Sequence, residues 1–257
     1  MTNIQFYSGS INAGDCISSA WNMVKQDYWL YFGITIVSIL MIACIPCANF
    51  FIAGPIAVGV YYVFLRAMSG EQVEFGMMFK GFERFVPAMI VGLVQSLPGI
   101  IWTIIDYGVN ITRLLALRGN RGMGDFYQSR EAAFAGLSGL YLAFAFLFMV
   151  VSIVWGITFF FAIPLLAEHD LTPVEALKLS AKAAWSNAGG LIVLMIMYIP
   201  IVVLSILALC VGVFFVVPIL YAANAFAYRQ VFPLIHQQFS MTPPPPTAYG
   251  GGYGQQQ

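Results

Sequence analysis

Long apolar runs, separated by short polar clusters, dominate the chain. No charged residue occurs from Tyr28 to Leu65, and none from Ala183 to Tyr228. Each run is about twice the length of a membrane-crossing helix, which needs roughly 20 apolar residues. Each therefore predicts two spans joined by a tight turn, the first at "CIPCAN" from Cys44 to Asn49. Two further runs stand between them. The spans are expected at Tyr28–Cys44, Phe50–Arg66, Phe85–Asp106, Leu137–Leu166, Gly189–Ala208 and Val211–Tyr228, six in all. The fourth is read as one long or tilted helix, because no cluster of turn residues interrupts it. The runs are continuous rather than alternating, which favours helices over barrel strands. Pro55, Pro98, Pro164, Pro200 and Pro218 are compatible with membrane helices as kinks.

A different pattern precedes three of the runs. In "TPVEALKLSAKAAWSN", Val174, Leu177, Ala181, Ala184 and Trp185 recur near helical spacing, with Glu175, Lys178 and Lys182 opposite them. Thr172, Pro173 and Glu175 form a helix start with a capping box. "INAGDCISSAWNMVKQDYW" places Ile17, Ala20, Trp21 and Val24 on one face, and "GEQVEFGMMFKGFERF" does the same with Val73, Met77 and Phe85. These read as short amphipathic helices lying in the membrane interface. The chain thus predicts an all-α polytopic membrane protein of three repeated units, each an interfacial helix followed by a hairpin of two spans. The outer copies match best: "SAWN" stands against "AAWS", and Arg66 and Arg229 each follow a proline by eleven residues. The membrane domain takes residues 1–240. Residues 241–257, "MTPPPPTAYGGGYGQQQ", form a tail with the composition of disorder.

Composition supports this reading. Of 257 residues 60% are hydrophobic and 9% charged, with mean hydropathy +0.84, whereas soluble domains carry about 25% charged residues. Net charge is zero, which gives no electrostatic basis for nucleic-acid binding. The polar start "MTNIQFYSGSINAGDC" predicts no cleaved leader. Lys25, Arg66, Lys80, Arg84, Lys178, Lys182 and Arg229 fall on one side of the six-span topology, and Arg113, Arg118, Arg121 and Arg130 on the other. Seven against four places both termini in the cytoplasm. The four lie in the long third connection, "VNITRLLALRGNRGMGDFYQSRE", which reads as a loop, with partial re-entry into the membrane as the alternative.

Candidate chemistry is sparse. Cys44-Ile-Pro-Cys47 has the spacing of a redox or metal pair, but its apolar setting suits a turn with small buried side chains. Glu168, His169 and Asp170 are adjacent just ahead of the Thr172 cap. They read as a turn at the water boundary, with acidic residues favoured by the helix N-terminus, rather than as metal ligands or an acid–base pair. No catalytic, cofactor-binding or metal-binding residue is assigned, and no cofactor. The candidate lipid-interface residues are Trp21, Arg66, Lys178, Lys182, Trp185 and Arg229. Gln95, Asn49 and Asn224 are candidates for hydrogen bonds between helices.

The stretch "FFFAIPLLAEHDLTPVEALKLSAKAAWSNAGGLIVL" (Phe159–Leu194) resembles the membrane domain fused to bacterial glycerophosphoryl diester phosphodiesterases. The matching features are an apolar helix ending in a proline, the "P-x-E-A-L-x-x-S" helix and the span after it; "GDCISSAWNMVKQDYW" is similar to that domain's opening. The resemblance reaches Gln238 and implies a helical protein of the bacterial inner membrane. It carries over no phosphodiesterase, since that activity belongs to a separate soluble barrel. With no ionisable residue deep in a predicted span, the expected function is a non-enzymatic scaffold or partner-binding module. The alternative is a lipid or amphiphile transporter of flippase type, which internal repeats favour. Membrane lipids are the expected partners, with another protein or a second copy of the chain as further candidates.

Overall fold

The computed structural model describes residues 4–44, 49–118, 126–207 and 212–234; the side chains of residues 44, 49, 112–118, 126–138 and 140 are outside the description. All regular structure among the described residues is helical. The helices are α1 (Ala13–Val24), α2 (Tyr28–Cys44), α3 (Asn49–Met68), α4 (Phe85–Arg118), α5 (Phe126–Thr158), α6 (Ala162–Glu168), α7 (Pro173–Ser186), α8 (Ala188–Leu207) and α9 (Gly212–Val231), with a 3-10 segment at Phe75–Arg84. Cys47, Cys210, Arg121 and the tail 241–257 lie outside the described residues.

Five of these elements are long and apolar enough to cross a membrane: α3, the 3-10 segment continuing into α4, α5 with α6, α8 and α9. Helix α2 has 17 residues; counted with α1, from which it is bent by 104°, as one bent span, it would bring the number to six. Helix α3 is the centre of the bundle. Some 56% of its apolar window is buried, against 17–33% for the other four spans, whose outward faces are left for acyl chains. Two glycines let α3 into that position. A Cβ on Gly54 would come 2.0 Å from the Ala88 carbonyl oxygen, and one on Gly59 only 1.7 Å from that of Met78. Small residues permit such close backbone approach, on which helix packing in lipid depends.

The 3-10 segment turns its interior face differently from the expected amphipathic helix. Met78 and Gly81 are buried, whereas Phe85 is exposed. Three residues per turn replace 3.6, so residues three apart share a face; Gly81 on that face passes Gly59. In α1 the buried residues are Ala13, Cys16, Ala20 and Val24, capped by Asn12, whose side chain accepts from the Asp15 N–H.

Two boundaries depart from the sequence reading. Helix α4 continues past Asp106 to Arg118, and α5 begins at Phe126 rather than Leu137. The third connection is therefore largely helical. Its leucines, alanines and arginines are good helix formers, and hydropathy marks where a helix leaves the apolar layer, not where it ends. At 34 residues, α4 is about 50 Å long, well beyond a bilayer core of roughly 30 Å.

The fourth span runs as one long segment, Tyr141–Glu168, as expected, but its helix is broken at Phe159–Phe161 into α5 and α6. Pro164 lacks the N–H that would pair with the Phe160 carbonyl. Polar side chains from neighbouring helices satisfy the opened backbone. The buried Ser180 hydroxyl of α7 accepts from the Phe161 N–H at 3.1 Å and donates to the Thr158 carbonyl at 3.1 Å. Gln95 of α4 donates to the Phe159 carbonyl at 2.5 Å. Gln95 thus makes the expected bond between helices, and so does Asn224, which accepts from the Tyr198 hydroxyl at 2.7 Å.

The N-terminal segment docks on the junction of α7 and α8. Buried Asn187 donates to the Tyr7 and Ala183 carbonyls, each at 2.9 Å, and accepts from the Ser10 N–H at 3.1 Å. The capping box of α7 is formed as expected, Glu175 accepting from Thr172 and Thr172 from the Glu175 N–H.

Candidate functional site

The C-terminal ends of α3, α6 and α9 meet the 3-10 segment around a cavity of about 740 Å³. Each element ends its apolar run there and turns polar. Arg66 comes from α3, Glu71 from the turn after it, Lys80, Glu83 and Arg84 from the 3-10 segment, Glu168 from α6 and Arg229 from α9. Val58, Leu65 and Leu166 supply apolar wall. Four cationic and three acidic groups thus share one lining.

The charges are organised around two inner contacts. Glu168 accepts from the Tyr228 hydroxyl at 2.7 Å and from Arg229 Nη1 at 2.5 Å. The Glu168 and Arg229 side chains are only 18% and 14% exposed, and Tyr228 is fully buried. Arg229 Nη2 also donates to the Leu65 carbonyl at 3.4 Å, tying α9 to α3. Its Nε is buried with no partner among the described residues. On the far side of the Glu168–Asp170 turn, Arg84 donates to the His169 carbonyl and stands 3.3 Å from Asp170, itself 93% exposed.

This corrects the reading of that turn. Glu168 has partners that the helix-end reading did not include. It is drawn inward by Arg229 and Tyr228, while Arg84 grips the turn's backbone from outside. His169 Nε2 lies 3.7 Å from Glu168. Burial holds its pKa below the usual 6.5; Glu168 acts against this, while Arg229 and Arg84 push further down. No group of three or more potential metal-ligating side chains is gathered among the described residues.

At the mouth, two cations share one ring. Arg66 lies over Tyr62 at 5.1 Å from the ring centroid, and Lys80 Nζ at 5.2 Å. Lys80 also donates to the Tyr62 hydroxyl at 3.3 Å, and Arg66 pairs with Glu71 at 2.6 Å.

Arg66 and Arg229 therefore converge on one cavity. The other four lipid-interface candidates lie elsewhere. Trp21, on α1, and Trp185, on α7, are exposed, as are Lys178 and Lys182. The interior face of α7 is Ala176, Ser180, Ala183 and Ala184, with Val174 and Trp185 left outside it. Lys182 Nζ lies 5.6 Å from the centre of the Phe6 ring. Sequence reasoning missed Lys80, Arg84, Tyr62 and Glu168 as members of one site. Their separation along the chain hid them, since only packing of α3 against the 3-10 segment and α6 unites them.

The fold defines a polytopic helical membrane protein with a charge-lined cavity where its helix ends meet. No protein family, curated protein or solved structure matches the chain.

Proposed function

We propose that this is a non-enzymatic membrane protein that receives the polar end of a membrane amphiphile in the charged cavity. One observation carries the reading: about 740 Å³ of space lined by both charge signs and by apolar side chains, at the ends of membrane-crossing helices. A scaffold, the first expectation from sequence, needs no such space. Its other requirement, exposed apolar surface on α5 and α8, is met equally well by acyl chains. A lipid-handling role uses both features. The resemblance to the bacterial membrane domain supports an inner-membrane location, and the count of Lys and Arg supports cytoplasmic termini, with the cavity on that side.

The repeat belongs to the same proposal. Arg66 and Arg229 end equivalent helices after equal spacing from Pro55 and Pro218, and both reach the same cavity. Two copies of one unit would then contribute corresponding cations to a shared site.

A phospholipid carrying a photoactivatable group next to its phosphate tests the proposal in native membranes. Crosslinks are expected in the peptides containing Phe75–Arg84 and Ala162–Glu168. Crosslinks confined to the outward faces of α5 and α8 would reject the site. The orientation is checked by single cysteines at Ala248 and Gly122 in a cysteine-free chain, treated with an impermeant thiol reagent on intact cells. Labelling at position 248 but not 122 would invert the topology.

A further inference from the structure

The charges at the cavity mouth point to the kind of head group it takes. Arg229 is committed to Glu168, Arg66 to Glu71, and Arg84 to Asp170 and the turn backbone. Lys80 and Glu83 remain. Both line the cavity, and neither is in an ion pair with another described residue. They are three apart on a 3-10 segment, so they project from the same edge, roughly 6 Å apart along the axis.

The surroundings of the two differ. Lys80 shares the Tyr62 ring with Arg66. Arg66 is already offset by Glu71, so Lys80 is the cation on that ring left to an anion, to which it can donate charge-assisted hydrogen bonds. Glu83 stands on the same edge as an acceptor without a cation. A ligand that is only anionic would gain Lys80 but meet the Glu83 and Glu71 carboxylates. A ligand that is only cationic would gain Glu83 but meet Arg66 and Lys80. A ligand with a phosphate and an ammonium a short bridge apart satisfies both.

We propose that the cavity selects an amine-bearing phosphodiester, the zwitterionic head group of an ethanolamine phospholipid, with its phosphate at Lys80 and its ammonium at Glu83. This rests on the head-group reading of the cavity and adds its selectivity. The apolar wall of Val58, Leu65 and Leu166 suits the glycerol and first methylenes, which favours the intact lipid over the free ester.

The full chain in detergent, titrated by native mass spectrometry, tests this with three probes: phosphatidylethanolamine, phosphatidylglycerol and soluble phosphoethanolamine. Phosphatidylethanolamine is expected to bind about tenfold more tightly than phosphatidylglycerol. Lys80→Gln is expected to weaken both lipids by about tenfold, the loss of one charge-assisted contact. Glu83→Gln is expected to remove the preference and leave phosphatidylglycerol binding unweakened. Both side chains are exposed, so the variants are expected to keep the wild-type melting temperature, which is measured alongside. Equal binding of the two lipids by the wild-type chain, or a preference that survives Glu83→Gln, overturns the selectivity and leaves the head-group site standing. Binding of both lipids unchanged by Lys80→Gln overturns the site itself. Ready displacement of the lipid by soluble phosphoethanolamine would reassign the occupant to the free ester and overturn the lipid assignment.

Discussion

Replacing Glu168 with Ala removes both acceptors of a buried network at once. The Tyr228 hydroxyl loses its 2.7 Å partner, and Arg229 loses its carboxylate. A buried donor left without an acceptor costs about 1–3 kcal/mol, and breaking a buried pair from one side costs roughly 3–5 kcal/mol. These overlap, because Arg229 keeps its bond to the Leu65 carbonyl. The two charged side chains also retain 18% and 14% exposure, so water partly repays the loss. The expected destabilisation is about 3 kcal/mol. Reversible unfolding in mixed micelles with rising SDS, followed by tryptophan fluorescence, measures it. A cycle with Arg229→Met isolates the pair: Glu168→Ala combined with Arg229→Met is expected to cost about 2 kcal/mol less than the two single changes added together. A Glu168→Ala penalty below about 0.5 kcal/mol, or strictly additive changes, would refute the claim that this network joins α6 to α9.

Three further outcomes follow from the same packing. Ser180→Ala leaves the Phe161 N–H and Thr158 carbonyl unpaired at the break between α5 and α6, and the same unfolding assay is expected to show a loss of about 2 kcal/mol; no loss would mean that the broken turn does not depend on α7. Gly59→Ala forces a Cβ to within 1.7 Å of the Met78 carbonyl oxygen and is expected to lower stability by about 1–3 kcal/mol, whereas Gly99→Ala, which meets nothing within 4 Å, is expected to be neutral or slightly stabilising; equal effects would contradict the close crossing. His169, held below its usual 6.5 by burial, stays neutral in the folded chain while the unfolded chain takes up a proton. Its contribution is therefore fully present above about 6.5 and lost as pH falls toward the folded value. His169→Ala is expected to flatten stability measured across that window, and an unchanged pH profile would reject it.

Span positions were legible because lipid demands long apolar runs, and in five of the six the predicted and observed helices overlap over most of their length. What hydropathy could not show is where helices end outside the apolar layer, as at Asp106 and Leu137. The break at Phe159–Phe161 was hidden for another reason. Phe, Thr and Ala read as continuous helix there, and the partners that make the break affordable, Ser180 and Gln95, lie on other helices. The 3-10 register was invisible because Met77 and Met78 are chemically equal and only the passage of Gly81 against Gly59 chooses between them. Of the site, Arg66 and Arg229 were legible from their spacing after a proline. Glu168 was noticed for its neighbours His169 and Asp170 in the chain, while its function in the fold comes from Arg229, sixty-one positions away.

The most direct test of the account is whether the cavity holds lipid. Ser69, in the turn after α3, lines the cavity and is exposed, with its hydroxyl donating back to the Leu65 carbonyl at 3.1 Å. Ser69→Trp would fill the mouth without entering the core. Purified gently from membranes and weighed intact, the wild-type chain is expected to retain phospholipid. The Ser69→Trp chain, at the same melting temperature, is expected to lose most of it. Equal retention by the two would contradict a head-group site in the cavity.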